Sequence, residues 1–520
     1  MATPTGSRGR FRLVVLLLLA ITCIGAVLLS DPRAGKLELR GTAQQPRDGS
    51  QIPALPVFAA ASALDVEGLP PFLGGTYTPP IQKRLSCGAP PCVLPNVSVS
   101  TGPKAANETP VVVDPNNPQQ LLAAANDWNC GLAGDGIYTS NDGGNTWART
   151  CMDVLSGLVN AGDPGVAYDL QGNAYATELQ GKYSGGLLVA FEKSSDNGKT
   201  WSAPQIAVPP LFGGGNTDKD WLQIDTSAQS PYVNTLYISV GQYDASGHFS
   251  IISVSHSNDG GQTWTMVHVG KLVALPEVVD SSALTIGTDG TLYLTWMQCT
   301  TNQQTQTCGG STASFEFATS TDGGTTWTTP QTILRAQQPL APCRNFRLGG
   351  DLPNTCARVV DIPVIAVDNG NGPHKGNLYV AYFDWTGTFM KVYVATSTDH
   401  GSTWTKKAVA PAGVTHDQFF PWVNVSESGI VGVSWLDRRN DPKNANYEAF
   451  AAFSKDGGQS FGKNIDLSSK PSNPCNDGFG CTFLGDYTGN AWVGNKTFYV
   501  TYTDTTTGID QDFLGGYQLK

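Results

Sequence analysis

Positive charge is scarce in this chain. Only 32 of its 520 residues are Lys or Arg, against 43 Asp or Glu, and the net charge is −11. A surface of that sign does not hold nucleic-acid phosphates, which excludes nucleic acid as a partner. Histidine is scarcer still, with six residues. No two of them stand at i, i+4 or in an HExxH motif, so a catalytic zinc is not expected. No cysteine pair has the C-x₂-C spacing of a structural zinc site. Walker and dinucleotide-binding motifs are missing as well. Charged residues make up only 14 %, while there are 59 Gly and 33 Pro. That balance suits an all-β extracellular chain of strands and turns.

Long apolar runs are missing too, with one exception. Residues 13–29 form an uncharged run, apolar but for Thr22, that follows Arg8, Arg10 and Arg12 and ends at Ser30 and Asp31. The run is long for a signal-peptide core and short for a membrane span. Residues 1–30 are therefore expected to be a signal anchor, with a cleaved signal peptide as the alternative. Membrane contact is expected through this segment only. Residues 31–91, rich in Pro, Gly, Ala and Gln, are expected to be an extracytoplasmic linker. Cysteine usage agrees with export. Cys23 lies in the apolar run, and the other ten fall into close couples: Cys87/Cys92, Cys130/Cys151, Cys299/Cys308, Cys343/Cys356 and Cys475/Cys481. An even count at local spacing predicts five disulfides in an oxidising compartment, with the local couples as the expected pairing.

What the chain does have is a repeat. Six copies of one octapeptide read SNDGGNTW (140–147), SSDNGKTW (194–201), SNDGGQTW (257–264), STDGGTTW (320–327), STDHGSTW (397–404) and SKDGGQSF (454–461). A period of this size marks one supersecondary unit used repeatedly, whose neighbours must stack to bury a core. The Asp accepts hydrogen bonds from turn N–H groups, the Gly supplies a positive φ, and the closing aromatic offers an apolar plate to the adjoining unit. A second element, an antiparallel strand pair closed by an Asp/Asn/Gly turn, occurs seven times. The seventh pair, near Tyr487 to Asp504, is followed by one more strand. Residues 96–100 (NVSVS) resemble the outermost strand of the other units but have no octapeptide before them. The expected fold is an all-β, seven-bladed β-propeller over residues 92–520, closed by the N-terminal strand joining the last blade. A six-bladed ring with a stray hairpin is the alternative.

The octapeptide pattern S-x-D-x-G-x-[TS]-[WF] resembles the Asp-box of sialidases and related propellers, from about Val93 to the end. That resemblance implies that the boxes lie on the outer rim, far from any catalytic centre. It also implies an active site with three arginines, a Tyr nucleophile assisted by a Glu, and an Asp acid/base. The chain departs from the family in two ways. Sialidases have six blades, and their first-blade R-I-P motif is here Glu108-Thr109-Pro110, without arginine.

Carboxylates recur just before each inner strand: Glu108, Asp163, Asp218 with Asp220, Asp280, Asp361, Asp417 and Asp486. If the units align, they ring one mouth of the channel. Three chemistries fit: capping of strand ends, binding of Ca²⁺ through oxygen ligands, or an acid/base pair for glycoside hydrolysis, which needs two carboxyl groups flanking the bond. The expected catalytic residues are Asp220, Asp361, Asp486 and Tyr487. Arg358, Arg438, Trp221, His416 and Asp417 are the expected substrate contacts, and Asp163 and Asp218 the expected Ca²⁺ ligands. No cofactor is required by this chemistry. The expected activity is that of an extracytoplasmic glycoside hydrolase of terminal sugars, with a glycan as partner; the alternative is a non-catalytic glycan- or protein-binding propeller.

Overall fold

The computed structural model describes residues 70–131, 134–182, 185–343 and 348–520. The expected anchor at residues 1–30 and most of the expected linker lie outside them. Among the described residues, no helix is long and apolar enough to cross a membrane. Strands rich in Val, Leu, Tyr and Thr assemble into seven antiparallel blades. The innermost strands, in chain order, are Val111–Asp114, Val159–Tyr168, Asn216–Ile224, Glu277–Ile286, Val364–Val367, Gln418–Val425 and Gly489–Val493. Each contacts the next, and the last contacts the first, so the blades form a ring.

The ring closes as the sequence predicts. Cys92–Ser98 pairs antiparallel with Gln511–Gln518, from Cys92↔Gln518 to Ser98↔Phe513, as the fourth strand of the seventh blade. The strand begins four residues before the expected 96–100. Beyond Ser98 the pairing continues irregularly, with the Val99 and Ser100 N–H groups both donating to the Asp512 carbonyl. Leaving no blade with an open inner seam removes the edge that would template aggregation. Hydroxyl bridges add to the closure. Thr501 Oγ donates to the Thr109 carbonyl of the first blade at 2.6 Å, and Thr295 Oγ donates to the Pro363 carbonyl of the fifth at 2.6 Å.

Each octapeptide joins the third and fourth strands of a blade, at the end of the ring opposite the starts of the inner strands. The same bonds repeat. In the first copy Ser140 Oγ donates to Asp142, whose carboxylate also takes the Thr146 N–H at 2.9 Å and the Thr146 hydroxyl at 2.8 Å. The Trp147 indole N–H donates to the Gly144 carbonyl at 3.1 Å, a bond that Phe461 of the sixth copy has no donor for. The third copy shows why its glycine is needed. Gly261 has φ +90°, and a Cβ there would stand 2.1 Å from the Phe191 ring of the preceding blade. Trp264 packs edge-on against that same ring, with centroids 5.1 Å apart. The turn and its aromatic therefore lock neighbouring blades together.

All five local cysteine couples are disulfide-bonded. Five such bonds belong to an oxidising compartment.

Candidate functional site at the channel mouth

The inner strands enter the ring through a recurring irregularity. Register shifts interrupt the second, third, fourth and sixth just after they begin. At the break stands a non-glycine residue with positive φ: Asp163 (56°), Lys219 (54°), Ser281 (57°) and Phe420 (49°), with Glu108 (64°) in the matching place of the first blade. Such backbone is rare for residues with a Cβ and shows that the turn is enforced by its surroundings. The break brings Glu108, Asp163 and Lys219 together at the centre.

Lys219 is the hub. Its ammonium lies 3.0 and 3.1 Å from the two Asp163 oxygens, 2.8 Å from Asp486 and 3.6 Å from Asp218. Its own N–H also donates to Asp163 at 2.9 Å. Arg358 grips Asp486 with both arms of its guanidinium, at 2.8 and 2.6 Å, and lies 4.0 Å from Glu108. Its flat face rests on Phe483, 4.4 Å from the ring centre. All six ionisable groups are buried.

Burial and neighbours sort these acids into different protonation states. Burial raises Glu108 well above the usual carboxylate range. Asp163 is equally buried, but the Lys219 ammonium and hydrogen bonds from Glu108 and Lys219 overcome that penalty and hold it down to about 2. Glu108 is thus the protonated partner of an ionised Asp163. Beside them, burial also raises Asp220, Asp135 and Glu178, the last two sharing a side-chain hydrogen bond. Burial first, and then the fields of Glu108, Asp163, Asp220 and Asp135, push the Tyr487 phenol up and keep it protonated. Its hydroxyl points at the Pro164 carbonyl, 3.5 Å away. Trp221 and Trp422 flank it, with ring centroids 6.3 and 6.1 Å from Tyr487 and 4.7 Å from each other.

The expected site residues divide into two groups. Asp163, Asp218, Asp220, Asp486, Tyr487, Arg358 and Trp221 meet at the centre. The others do not join them. Asp361 accepts from the Phe383 N–H at 2.9 Å inside its own blade, and at 3.3 Å from Gln338, which follows the last strand of the fourth blade. Asp417 accepts from the Met390 N–H at 2.9 Å and from Asn444 at 2.6 Å, and pairs with Arg438 at 3.4 Å. Arg438 is spent on the Pro353 and Asn444 carbonyls, at 2.7 and 3.0 Å. His416 is half-buried beside Asp417 and has no hydrogen-bond partner among the described residues. The eight carboxylates of the seven blades therefore do not form one even ring.

Asp163 and Asp218, the expected Ca²⁺ ligands, both face the Lys219 ammonium, so a cation already stands where the ion would sit. Among the described residues, no three His, Cys, Asp or Glu side chains form a group suited to a metal. Lys219 itself was not among the expected residues. It stands between two aspartates and looks locally like a solvated charge; only its register with Glu108 and Asp163 marks it.

The mouth is roofed. The segment from Asn473 to Asp486 is organised by Asp477, whose carboxylate accepts the N–H groups of Phe479, Cys481, Thr482 and Phe483 at 2.8 to 3.1 Å. This segment pairs with the approach to the fifth blade: the Cys356 and Arg358 N–H groups donate to the Cys481 and Thr482 carbonyls at 3.0 and 3.1 Å. Between Ile362, Phe420, Trp422, Asp486 and Tyr487 lies a cavity of about 10 Å³, room for a single water. A larger cavity of about 300 Å³, lined by Asp114, Asn116, Asn141, Gln171, Asp196 and Lys199, lies at the opposite end of the ring among the octapeptide turns.

The many raised carboxylates fix the sign of the pH dependence. Burial takes Asp280 and Asp351 to about 7, Glu192 and Asp512 to about 8, and Asp466 to about 6. Each holds a proton in the folded chain that it loses near pH 4 when unfolded. Their contribution is complete below that pH and is lost as pH rises through about 6 to 8. His256, lowered by burial, opposes this only in acid. Calorimetric melting should therefore give a higher Tm at about pH 5 than at about pH 8; a flat or rising profile would contradict the buried protons.

No family model and no curated protein matches this chain. Solved structures similar to it include an α-L-arabinofuranosidase from Fusarium graminearum in complex with an iminosugar inhibitor, at 15 % identity over 68 % of this chain and 92 % of that one, TM-score 0.43. An α-L-arabinanase from Penicillium chrysogenum complexed with arabinobiose aligns at 14 % identity over 70 % and 94 %, TM-score 0.43. A Hadza microbial sialidase aligns at 13 % identity over 76 % and 73 %, TM-score 0.42. Values this low carry no argument about the chemistry of this chain.

Proposed function

We propose that the propeller is an extracytoplasmic glycoside hydrolase acting on terminal sugars at the roofed mouth of its channel. The observation that supports this reading is the convergence of buried acids in opposed protonation states around Tyr487. A proton donor beside an ionised carboxylate is what acid/base cleavage of a glycosidic bond requires. Asp220, which burial keeps protonated despite a side-chain hydrogen bond with Thr177, is the acid. Tyr487 is the nucleophile, and as its oxygen bonds the sugar carbon its proton passes to the ionised Asp163, whose charge lies in its field. Trp221 and Trp422 supply the plates on which a sugar ring stacks. Arg358, steered by Asp486, meets an anionic or hydroxyl group of the substrate. Asp361, Asp417 and Arg438 position the strands around the mouth rather than touching substrate. The chemistry needs no cofactor.

A non-catalytic, glycan- or protein-binding propeller is favoured by one observation: the cavity beside Tyr487 measures about 10 Å³, too little for a sugar ring unless the roof moves. The two readings separate on a panel of aryl glycosides, pyranosides and furanosides, neutral and anionic. Turnover by the parent that falls at least about 10³-fold in Asp220→Asn and Tyr487→Phe, with unchanged melting, supports the hydrolase. A blank panel together with glycan-array binding by the parent supports the binding module and sinks the hydrolase.

A further inference from the structure

The chain contains three adjacent pairs of basic residues, and the structure treats one of them differently from the others. Lys406 and Lys407 lie on the paired strand Thr405–Ala408. Arg438 is buried, and Arg439 is clamped to Asp437 at 2.5 Å. Lys83 and Arg84 lie on neither strand nor helix, and residues 81–84 are all exposed, Ile81 by 88 %.

The segment around them runs down the outside of the ring between two fixed points. At one end the Thr78 N–H donates to the Thr507 carbonyl at 2.7 Å. At the other the Leu85 N–H donates to Asn145 Oδ1 at 2.8 Å, and the Leu85 side chain packs on the core of the first and last blades. From Pro79 to Arg84 no hydrogen bond, ion pair or ring contact is made among the described residues. An endoprotease needs such a stretch, because it must draw several residues into extended pairing with its own cleft. The Leu85–Asn145 bond and the packing of the Leu85 side chain have to open locally.

We propose that the Lys83-Arg84 pair is a processing site for a serine-type endoprotease that reads basic side chains. Water adds across the Arg84–Leu85 amide: the C–N bond breaks, the hydroxyl joins the Arg84 carbonyl carbon, and the proton goes to the new Leu85 amine. The propeller survives the cut, because Cys87–Cys92 and the closing strand lie on its side of the bond. Among the described residues, the N-terminal piece is then held by the Leu73 and Thr78 N–H bonds to Gly478 and Thr507, at 2.8 and 2.7 Å, by Phe72 packed on Trp128, Phe479 and Phe483, and by the close approach of Gly75 and Thr76 to Gly508 and Ile509. Those few contacts do not retain it. Its departure also strips the outer support from Gly478 and Phe479 in the roof of the mouth. The site stands independently of the glycan reading.

The test uses the full chain, treated with dilute trypsin and, separately, with an endoprotease specific for paired basic residues. Cleavage at the pair should run at least about tenfold faster than at any Lys or Arg of residues 92–520. The N-terminal piece should then elute apart from an intact propeller on size exclusion. The double variant Lys83→Gln/Arg84→Gln should lose the early cut and melt like the parent. A first cut inside the propeller, for example at Lys199 or Lys496, would overturn the proposal. So would an early cut that persists in the double variant, a chain untouched by the paired-basic enzyme, or an N-terminal piece that stays bound.

Discussion

Lys219→Met is expected to remove about 3–5 kcal/mol of stability at neutral pH, a large share of the roughly 5–15 kcal/mol that a folded protein has in hand. Methionine fills nearly the same volume, so packing is kept and charge alone is lost. The ammonium touches Asp163, Asp486 and Asp218 at 2.8 to 3.6 Å in a buried setting. Arg358 remains for Asp486, but Asp163 is left as a buried carboxylate beside another acid. Burial then raises Asp163 from about 2, and its proton becomes the cheapest way to neutralise the site. The deficit should shrink as pH falls toward about 5, because the variant binds a proton there that the parent does not. Denaturant titrations of both proteins at pH 7.5 and 5 measure this. A loss below about 1 kcal/mol at both pH values would mean that Lys219 is not the charge holding the mouth together.

The local parts of this molecule were legible in its sequence because local chemistry builds them. The octapeptide carries its own turn, from Ser140 to Trp147 and in five further copies, and each copy needs only residues within seven positions of one another. The disulfides likewise join near neighbours. Closure was legible because residues 96–100 look like a fourth strand without a preceding turn, although the strand starts at Cys92. The site was legible only as a set of carboxylates. Which of them meet depends on the break in each inner strand, where a positive φ at Asp163 or Lys219 changes the direction of one side chain relative to its neighbours. Asp361 and Asp417 occupy similar places along the chain, yet backbone N–H groups of Phe383 and Met390 draw them away from the centre. The roof was not legible at all. It rests on backbone bonds between Cys356 and Cys481 and between Arg358 and Thr482, which join segments more than a hundred residues apart and leave no periodic trace.

The closing strand should separate two truncations sharply. A chain starting at Leu85 keeps Cys87–Cys92 and Cys92–Ser98 and, among the described residues, loses the outer contacts of residues 72–78; it should melt within about 2–3 °C of the parent. A chain starting at Thr101 loses Leu94, Val97 and Val99, all buried. Each such side chain contributes about 1.5–3 kcal/mol. It also loses the Asn96 bond to the Leu467 carbonyl at 2.8 Å, which ties the seventh blade to the sixth, and the Ser100 hydroxyl that accepts the Asp512 N–H at 2.8 Å. The strand Gln511–Gln518 would then stand as an open edge with two glycines at its middle, ready to pair with another chain. Such a chain should melt at least about 10 °C lower and associate on size exclusion. Equal melting of the two truncations would mean that the ring holds by blade-to-blade packing alone, and that the N-terminal strand decorates the seventh blade without closing it.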